Sequence, residues 1–290
     1  MPNAQLLLTR DQLKQLAWRY ESALRKALKT PEQAGKANFT ALANGVAMGA
    51  IAQALQDPAL YERSILIRSP QPNSLQMKDI CENFLQYEQP EAAMRYLNQA
   101  WESRFEHDRL ELLDKVYAQM GDRQQLKQVR YQLFQAQQSH ASFKRYLEVL
   151  DEEEKSDACD EATAKAEQGG NLLRSTELLL NLGQTDRAQA LVLSRHQELV
   201  ECLYNNVLRL AKAFEKEGCD LAATACYRAL LLDILMQGRS KAYGHGARYF
   251  KKLEALAGRI KVFDPLLEHH AFVQQLQSAH GRKSSFWARL

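Results

Sequence analysis

The stretch "LRLAKAFEKEGCDLAATACYRALL", Leu208–Leu231, reads as two amphipathic helices that meet at Gly218. On both sides of this glycine the apolar residues recur every three or four positions, which is the spacing of an α-helix. Small residues let two helices cross closely, and large or aromatic residues fill the space toward the next pair. The pattern therefore predicts an antiparallel helix pair, and its key positions are Leu210, Ala211, Phe214, Ala223, Tyr227 and Leu230.

A shorter version of this pair precedes it in "LLLNLGQTDRAQALVLS", Leu178–Ser194, with Gly183 at the turn. Further units of three to four helical turns with one apolar face occupy most of the chain after residue 75, and no strand-like alternation of useful length is present. No strict period of about 34 residues is kept. The predicted fold is all-α: an irregular tetratricopeptide-like α-solenoid of antiparallel helix pairs.

The N-terminal part shows its own helix starts and stops. Thr9–Gln12 and Thr30–Gln33 both fit a capping box, in which a hydroxyl and a glutamine side chain satisfy free backbone amides. The run "ALANGVAMGAIAQAL", Ala41–Leu55, is rich in small residues and predicts a buried helix. Two prolines in residues 64–74 predict an extended connection. We therefore predict a helical hairpin over residues 1–63, a connection over 64–74, and the solenoid with a C-terminal capping segment over 75–290.

Composition indicates a protein that neither spans a membrane nor carries a secretory signal. No run of about eighteen apolar residues occurs, and the N-terminus lacks a basic segment followed by a long apolar one. The cysteines form an odd, scattered set, which suits reduced thiols and a cytoplasmic location better than a disulfide framework. They are Cys81, Cys159, Cys202, Cys219 and Cys226.

Charge is unevenly distributed along the chain. Residues 239–290 hold ten Lys or Arg against three Asp or Glu, whereas Glu148–Glu161 holds eight acids and one lysine. Such a surface can orient a partner or another copy of the chain. We predict a contact surface for acidic groups of a protein or peptide, formed by Arg239, Lys241, Arg248, Lys251, Arg282 and Lys283.

The same basic region allows a second interpretation, in which cations contact phosphates and Tyr243, Tyr249 and Phe250 stack on unpaired bases. The competing structural interpretation places Tyr249, Leu253 and Leu256 in a core stripe, because they are three or four residues apart. The cations would then be an ordinary solvated face.

No catalytic or metal-binding pattern is present. The chain lacks a G-x-S-x-G elbow, a P-loop and a G-x-G-x-x-G loop, and "YGHGAR" at Tyr243–Arg248 reads as a helix start or kink. No C-x-x-C occurs, and the spacings of the cysteines and histidines do not match those of structural zinc sites. We predict no catalytic residues, no metal ligands and no cofactor. A pocket that gathers His245, His269 or His280 with a carboxylate would revive an enzymatic interpretation.

The chain ends in "HGRKSSFWARL", His280–Leu290, where Gly281 breaks a helix and Phe286 and Trp287 follow. Terminal repeats of a solenoid must shield an apolar edge. We therefore expect the two aromatic side chains to form a lid on the last helices, with Arg282 and Lys283 around it. The alternative is a free binding tail.

The segments Tyr227–Leu256 and His269–Trp287 resemble the C-terminal part of a bacterial family of unknown function. That family is a helical-repeat family related to the tetratricopeptide-like region of SWIM-type zinc-finger proteins. The resemblance covers roughly a third of the chain and implies a tetratricopeptide-like superhelix but no activity. The SWIM zinc pattern, C-x-C followed by C-x-H, is absent, so no metal ligands carry over. The matching residues are Leu231, Asp233, Leu235, Arg239, Ser240, Tyr243, Ala247, Arg248, Tyr249, His280, Arg282, Lys283, Phe286 and Trp287.

The function that these features favour is a non-enzymatic scaffold for protein–protein interaction. It would bind a protein or peptide through a superhelical groove and the basic C-terminal surface. The alternative is a nucleic-acid-binding accessory protein that uses the same basic surface. The acidic residues around Asp151–Glu154 also make self-association between copies a hypothesis.

Overall fold

The computed structural model describes residues 7–29 and 38–290, and this part of the chain contains helices and no β-strand. The first helices are α1 Arg10–Lys29, α2 Phe39–Leu55, α3 Pro58–Leu66, α4 Ser74–Gln86, α5 Pro90–Leu97, α6 Glu106–Met120, α7 Arg123–Gln137 and α8 His140–Leu147. They are followed by α9 Glu152–Gln168, α10 Leu172–Asn181, α11 Thr185–Ser194, α12 Tyr204–Lys216, α13 Asp220–Met236, α14 Tyr243–Ala257, α15 His269–His280 and α16 Ser284–Trp287. Short 3₁₀ turns occupy Ser103–Phe105, His196–Glu201 and Ser240–Ala242.

The chain forms two compact units, residues 1–133 and 134–290, and the boundary falls within the sequence of α7. The first unit has two apolar clusters, one built around α1, α2 and Leu60 of α3, the other around α4 to α7. The second unit has one large apolar cluster that extends from Phe134 to Phe286.

The N-terminal helix signals agree with the structure where it describes them. Gln12 Oε1 accepts a hydrogen bond from the Thr9 amide at 2.8 Å, and Thr9 Oγ1 accepts one from the Gln12 amide at 3.3 Å. The predicted capping box at Thr30–Gln33 lies outside the described residues.

Helix α2 differs from the prediction of a buried helix, because only one of its faces is covered. Gly45 lies against the Arg68 side chain: a Cβ at Gly45 would come within 2.7 Å of Arg68 Nε. The opposite face exposes Phe39, Leu42 and Val46. Small residues do allow close neighbours on the covered face, where α2 packs against both α1 and α3.

The predicted connection over residues 64–74 is shorter in the structure. Asp57 Oδ1 accepts a hydrogen bond from the Leu60 amide at 2.9 Å and starts α3, which continues to Leu66. Asn73 and Gln76 form a capping box that starts α4 at Ser74. Only Ile67–Asn73 therefore connects the two helices, and this connection lies inside the first compact unit.

The stretch Leu208–Leu231 forms the predicted pair, α12 and α13, which pack against each other. Gly218 ends the first helix with a φ of 75°, in the left-handed region that glycine adopts without strain. Helix α10 packs on α11 and also on α12, while α13 packs on α11 and α14. The predicted core positions are all buried: Leu210, Ala211, Phe214, Ala223, Tyr227 and Leu230.

The last residues are packed against the fold rather than free. Phe286 is 0% exposed and contacts Tyr243 edge-on, with ring centroids 5.8 Å apart. The Trp287 ring lies 6.3 Å from the Phe250 ring, and its Nε1 donates to the His280 carbonyl at 3.0 Å. The two aromatic residues thus form the lid that the sequence predicts.

Candidate partner-binding groove

The second unit has a groove of about 980 Å³ between α10 and α12. Leu172, Leu180 and Leu210 give it an apolar floor, and the side chain of Leu203 at the start of α12 is 74% exposed. The amphipathic pattern of each helix explains this arrangement, because part of each leucine stripe faces the core and part faces the groove. The groove therefore combines leucine side chains with access from solvent.

Arg195, in the segment between α11 and α12, contacts the residues just before α10. Its Nη1 and Nη2 donate to the carbonyls of Gly169 and Gly170, each at 2.8 Å, just before α10 begins. The same guanidinium binds the Glu198 carboxylate through two contacts of 2.7 Å, three residues into the 3₁₀ turn that leads to α12. These hydrogen bonds lower the pKa of Glu198 and raise that of Arg195. One arginine thus joins the segment before α10 to the segment that leads to α12.

Polar groups cover the rim of the groove. Arg209 of α12 and Glu177 of α10 approach to 4.0 Å, and both side chains are about half exposed or more. The Asn206 side chain accepts a hydrogen bond from Arg209 at 3.3 Å. Asparagine amides offer both a donor and an acceptor, which suits contacts with a polypeptide backbone. The other charged lining residues are Arg174, Glu198, Glu201, Lys216 and Glu217.

The six predicted basic residues are not among the residues that line this groove. Arg248 and Lys251 are exposed one turn apart on α14, and Arg248 Nη2 lies 2.9 Å from His245 Nδ1. Lys283 lies against Gly238, next to Arg239, at the turn that follows α13. Arg239 pairs with Asp233 at 3.0 Å. Lys241 and Arg282 are exposed.

Two further cations of the basic region hold helices together. Lys252 of α14 binds Glu215 of α12 at 2.5 Å, and Arg259 binds Asp220 of α13 at 2.7 Å. The Arg259 hydrogen bond lowers the pKa of Asp220. Burial opposes ionisation of Glu215, but hydrogen bonds from Lys252 and Tyr227 lower its pKa overall. These cations therefore have a structural role that the net charge does not reveal.

The aromatic residues proposed for base stacking are not on the surface. Tyr243, Tyr249 and Phe250 are all buried in the core of the second unit. Tyr249, Leu253 and Leu256 form the core stripe that the competing interpretation expects. The base-stacking part of the nucleic-acid interpretation is wrong for these three residues, since their spacing turns them toward α12, α13 and the C-terminal lid.

The acidic stretch starts a helix. Glu152, Glu153 and Glu154 occupy the first turn of α9, and the Glu154 carboxylate accepts a hydrogen bond from the Asp151 amide at 3.2 Å. Negative charge at a helix N-terminus is favourable because the first amides are unpaired and the helix dipole is positive there.

No cluster of metal-binding side chains appears in the described ranges 7–29 and 38–290. Within them, no group of three or more His, Cys, Asp or Glu side chains is placed to hold a metal ion. All five cysteines are free, and burial raises the pKa of the Cys81 thiol to about 12. No histidine is among the residues that line the groove. Over the same ranges, no helix has the length and apolar character needed to cross a membrane.

The groove residues were missed by sequence reasoning, which followed charge rather than apolar surface. One residue did indicate the groove: Leu203 is an apolar residue just before α12, outside the apolar stripe that packs in the core. Sequence periodicity cannot show which of several leucine stripes leaves space between its helices. At one end of that space, Arg195 joins segments that are 25 and 26 residues apart in the chain.

Comparison with known families places the chain. Its residues 17–289 match the sequence model of the family of unknown function DUF6880, so the chain belongs to that family. No curated protein matches the chain.

Proposed function

We propose that this protein is a non-enzymatic interaction scaffold, in which an irregular tetratricopeptide-like stack of helix pairs binds a segment of a partner protein in the groove between α10 and α12. The packing of α10 on α12 and of α11 on α13 supports a repeat arrangement, since each pair contacts the next through both of its helices. The family resemblance of the C-terminal third, which implies a tetratricopeptide-like superhelix, agrees with this arrangement.

The observation that carries the proposal is the groove itself. Exposed apolar surface with a polar rim is typical of sites that bind other proteins. Leu203 and the floor leucines would bury apolar side chains of the partner, and Asn206, Arg209 and Glu177 would bind its backbone or charges. The exposed Glu177–Arg209 pair at 4.0 Å is of a kind that contributes little stability, so it opens at low cost.

The basic residues give a second contact for acidic groups of the same partner. Four members of that set are exposed and have no carboxylate within ion-pair distance among the described residues: Lys241, Arg248, Lys251 and Arg282. Contacts of this kind raise the association rate more than the final affinity. The acidic N-terminus of α9 on another copy of the chain is one such acidic group.

The test is an affinity capture from native lysate on the immobilised full-length chain, with and without nuclease. Bound proteins are identified by mass spectrometry, and direct binding to the purified chain is then measured. We expect Leu203→Asp to weaken that binding roughly tenfold or more, because it puts a charge into an apolar contact. Val262→Asp is the matched control, since Val262 is also an exposed apolar residue of the second unit but lies outside the groove.

Two results contradict the proposal in different ways. If Leu203→Asp bound the partner as tightly as the wild type, the binding site would not be in the groove. Capture of nucleic acid alone, removed entirely by nuclease, would favour the nucleic-acid function. A variant with Arg248, Lys251 and Arg282 changed to Ala then shows whether the basic residues contribute to either kind of binding.

A further inference from the structure

Arg228 is a charged residue in the core of the second unit, in the middle of α13. It is only 6% exposed. Its guanidinium lies over the Phe272 ring at 4.3 Å and near the Phe263 ring at 5.7 Å. Burial lowers its pKa to about 10, which reflects how unfavourable this environment is for the charge.

The hydrogen bonds of this guanidinium are incomplete in a specific way. Nη1 donates to the Leu267 carbonyl at 2.8 Å, whereas Nε and Nη2 are buried without a hydrogen-bond partner. Nε and Nη2 form the side edge of a guanidinium, where two parallel N–H bonds match the two oxygens of a carboxylate. The unused part of Arg228 is therefore a complete two-pronged fork.

Two neighbouring features also favour an anion. Leu267 precedes the start of α15 at His269 by two residues, so its bond to Nη1 places the guanidinium beside the N-terminus of a twelve-residue helix. His269 Nδ1 is likewise buried without a partner. Burial, and secondarily the Arg228 charge, lower the pKa of His269, so the imidazole is neutral at pH 7 and carries one N–H.

The protein supplies no direct counter-charge to this group. Glu268 is near enough to favour the Arg228 charge electrostatically, but among the described residues no carboxylate lies within ion-pair distance of it. A buried charge without a partner is strongly unfavourable, and so are buried N–H groups without acceptors. A carboxylate bound at this place would supply both a counter-charge and the two missing acceptors.

We propose that the Arg228 fork, together with His269 and the N-terminus of α15, is a binding site for a small carboxylate. The loop Gly258–Glu268 covers the guanidinium and contributes Phe263 and Leu266 to the core. Val262 and Leu267 of the same loop are exposed. Because Nε and Nη2 are buried, a ligand would reach them only if this loop moved aside. The site is distinct from the groove between α10 and α12.

The test uses sodium acetate as the probe, against sodium chloride at equal ionic strength and with inorganic phosphate as a second anion. The first readout is the thermal unfolding midpoint of the full chain. The second is the pKa of His269 followed by NMR, with His280 as the control in the same molecule. We expect acetate to raise the midpoint in a saturable way and to raise the pKa of His269, because a nearby anion stabilises the imidazolium.

The variant Arg228→Lys keeps the charge and removes the fork, and we expect acetate affinity to fall roughly tenfold or more. Arg248→Lys, an exposed change on α14, is the matched control and keeps the wild-type response. If Arg228→Lys does not fold, the effect of acetate on the pKa of His269 in the wild type still tests the site.

Any of four results would overturn the proposal. The first is that acetate and chloride have the same effect on the unfolding midpoint and on the pKa of His269. The second is that Arg228→Lys binds acetate as well as the wild type does. Binding that appears only in Glu268→Gln would show that Glu268 itself closes the fork in solution. A stronger response to phosphate than to acetate would assign the site to tetrahedral oxyanions instead of carboxylates.

Discussion

Gly246 lies on the face of α14 that contacts the C-terminal lid. A Cβ at this position would come within 3.2 Å of the Phe286 ring and 3.4 Å of Leu231. The second glycine of the run Tyr243–Arg248 thus has a packing role, because the Phe286 ring lies where a side chain at Gly246 would be. At Gly244 an added Cβ would meet only Arg289 Nη1, at 3.7 Å. Neighbouring glycines in one short run therefore have different reasons to be there.

The lid predicts a large effect of a single aromatic residue. We expect Phe286→Ala to lower the free energy of unfolding by about 3–5 kcal/mol, because it removes a fully buried ring and leaves a cavity. Urea denaturation of the full chain measures this loss. Leu290→Ala is the control, since Leu290 is 40% exposed and belongs to the same terminal segment. If both variants lost the same unfolding free energy, packing of the Phe286 ring would not be what holds this segment against the fold.

At the scale of elements, the second unit is held by polar contacts between helices as well as by its core. Glu215 of α12 accepts hydrogen bonds from Tyr227 of α13 at 2.5 Å and from Lys252 of α14, so one carboxylate joins three helices. Asp220 and Arg259 add a bond between the start of α13 and the turn after α14. The Tyr204 and Tyr249 hydroxyls are also hydrogen-bonded to each other.

These carboxylates predict a loss of stability in acid. The folded state lowers the pKa of both Asp220 and Glu215, so their stabilising contribution is present above their unfolded-state pKa values. The contribution is lost as the pH falls from about 4.3 through the lower folded-state values. We expect Asp220→Asn to show a smaller decrease of unfolding free energy between neutral pH and pH 3 than the wild type.

The measurement is urea denaturation over a series of pH values. Arg259→Gln should resemble Asp220→Asn, because it removes the cation that lowers the pKa of Asp220. Arg248→Gln is the control, as Arg248 contacts His245 and no carboxylate of another helix. If the unfolding free energy of both Asp220→Asn and Arg259→Gln fell with pH as steeply as that of the wild type, other groups would cause the acid sensitivity.

At the scale of the whole molecule, the basic end of the chain is less available than its sequence suggests. Arg239, Lys252 and Arg259 are paired with carboxylates that come from residues 215–233, before the basic region begins. The exposed cations that remain are spread over α14 and the turns beside it. A dispersed set of this kind suits long-range attraction of acidic groups more than a tight electrostatic site.

This arrangement predicts modest salt dependence for the captured partner. Between 50 and 200 mM salt we expect its affinity to change by roughly tenfold or less, because apolar contacts in the groove are not screened. A protein that makes 6–10 phosphate contacts would lose about 10³–10⁵ in affinity over the same range. Isothermal titration at several salt concentrations separates the two cases. A loss of affinity of about 10³–10⁵ would favour nucleic-acid binding over protein binding in the groove.

The sequence by itself determined that the chain is helical and where some of its helices begin or end. Local chemistry is enough for this: apolar spacing around Gly218, the Thr9 capping box and the buried positions from Leu210 to Leu230 depend only on near neighbours. It also identified the aromatic lid, because a terminal stripe after a helix break has few other places to pack. The charge pattern was less informative, since it counts residues without their partners.

Only the tertiary structure decided which surfaces are open. At one end of the groove, Arg195 contacts residues 25 and 26 positions earlier in the chain. Pairs such as Arg259–Asp220 join residues 39 apart, so the sequence shows them as charge rather than as structure. The Arg228 fork depends on three elements that meet in the core, and no local pattern indicates that two of its N–H groups lack an acceptor. Grooves and unpaired groups are properties of long-range packing, whereas helices are properties of short-range spacing.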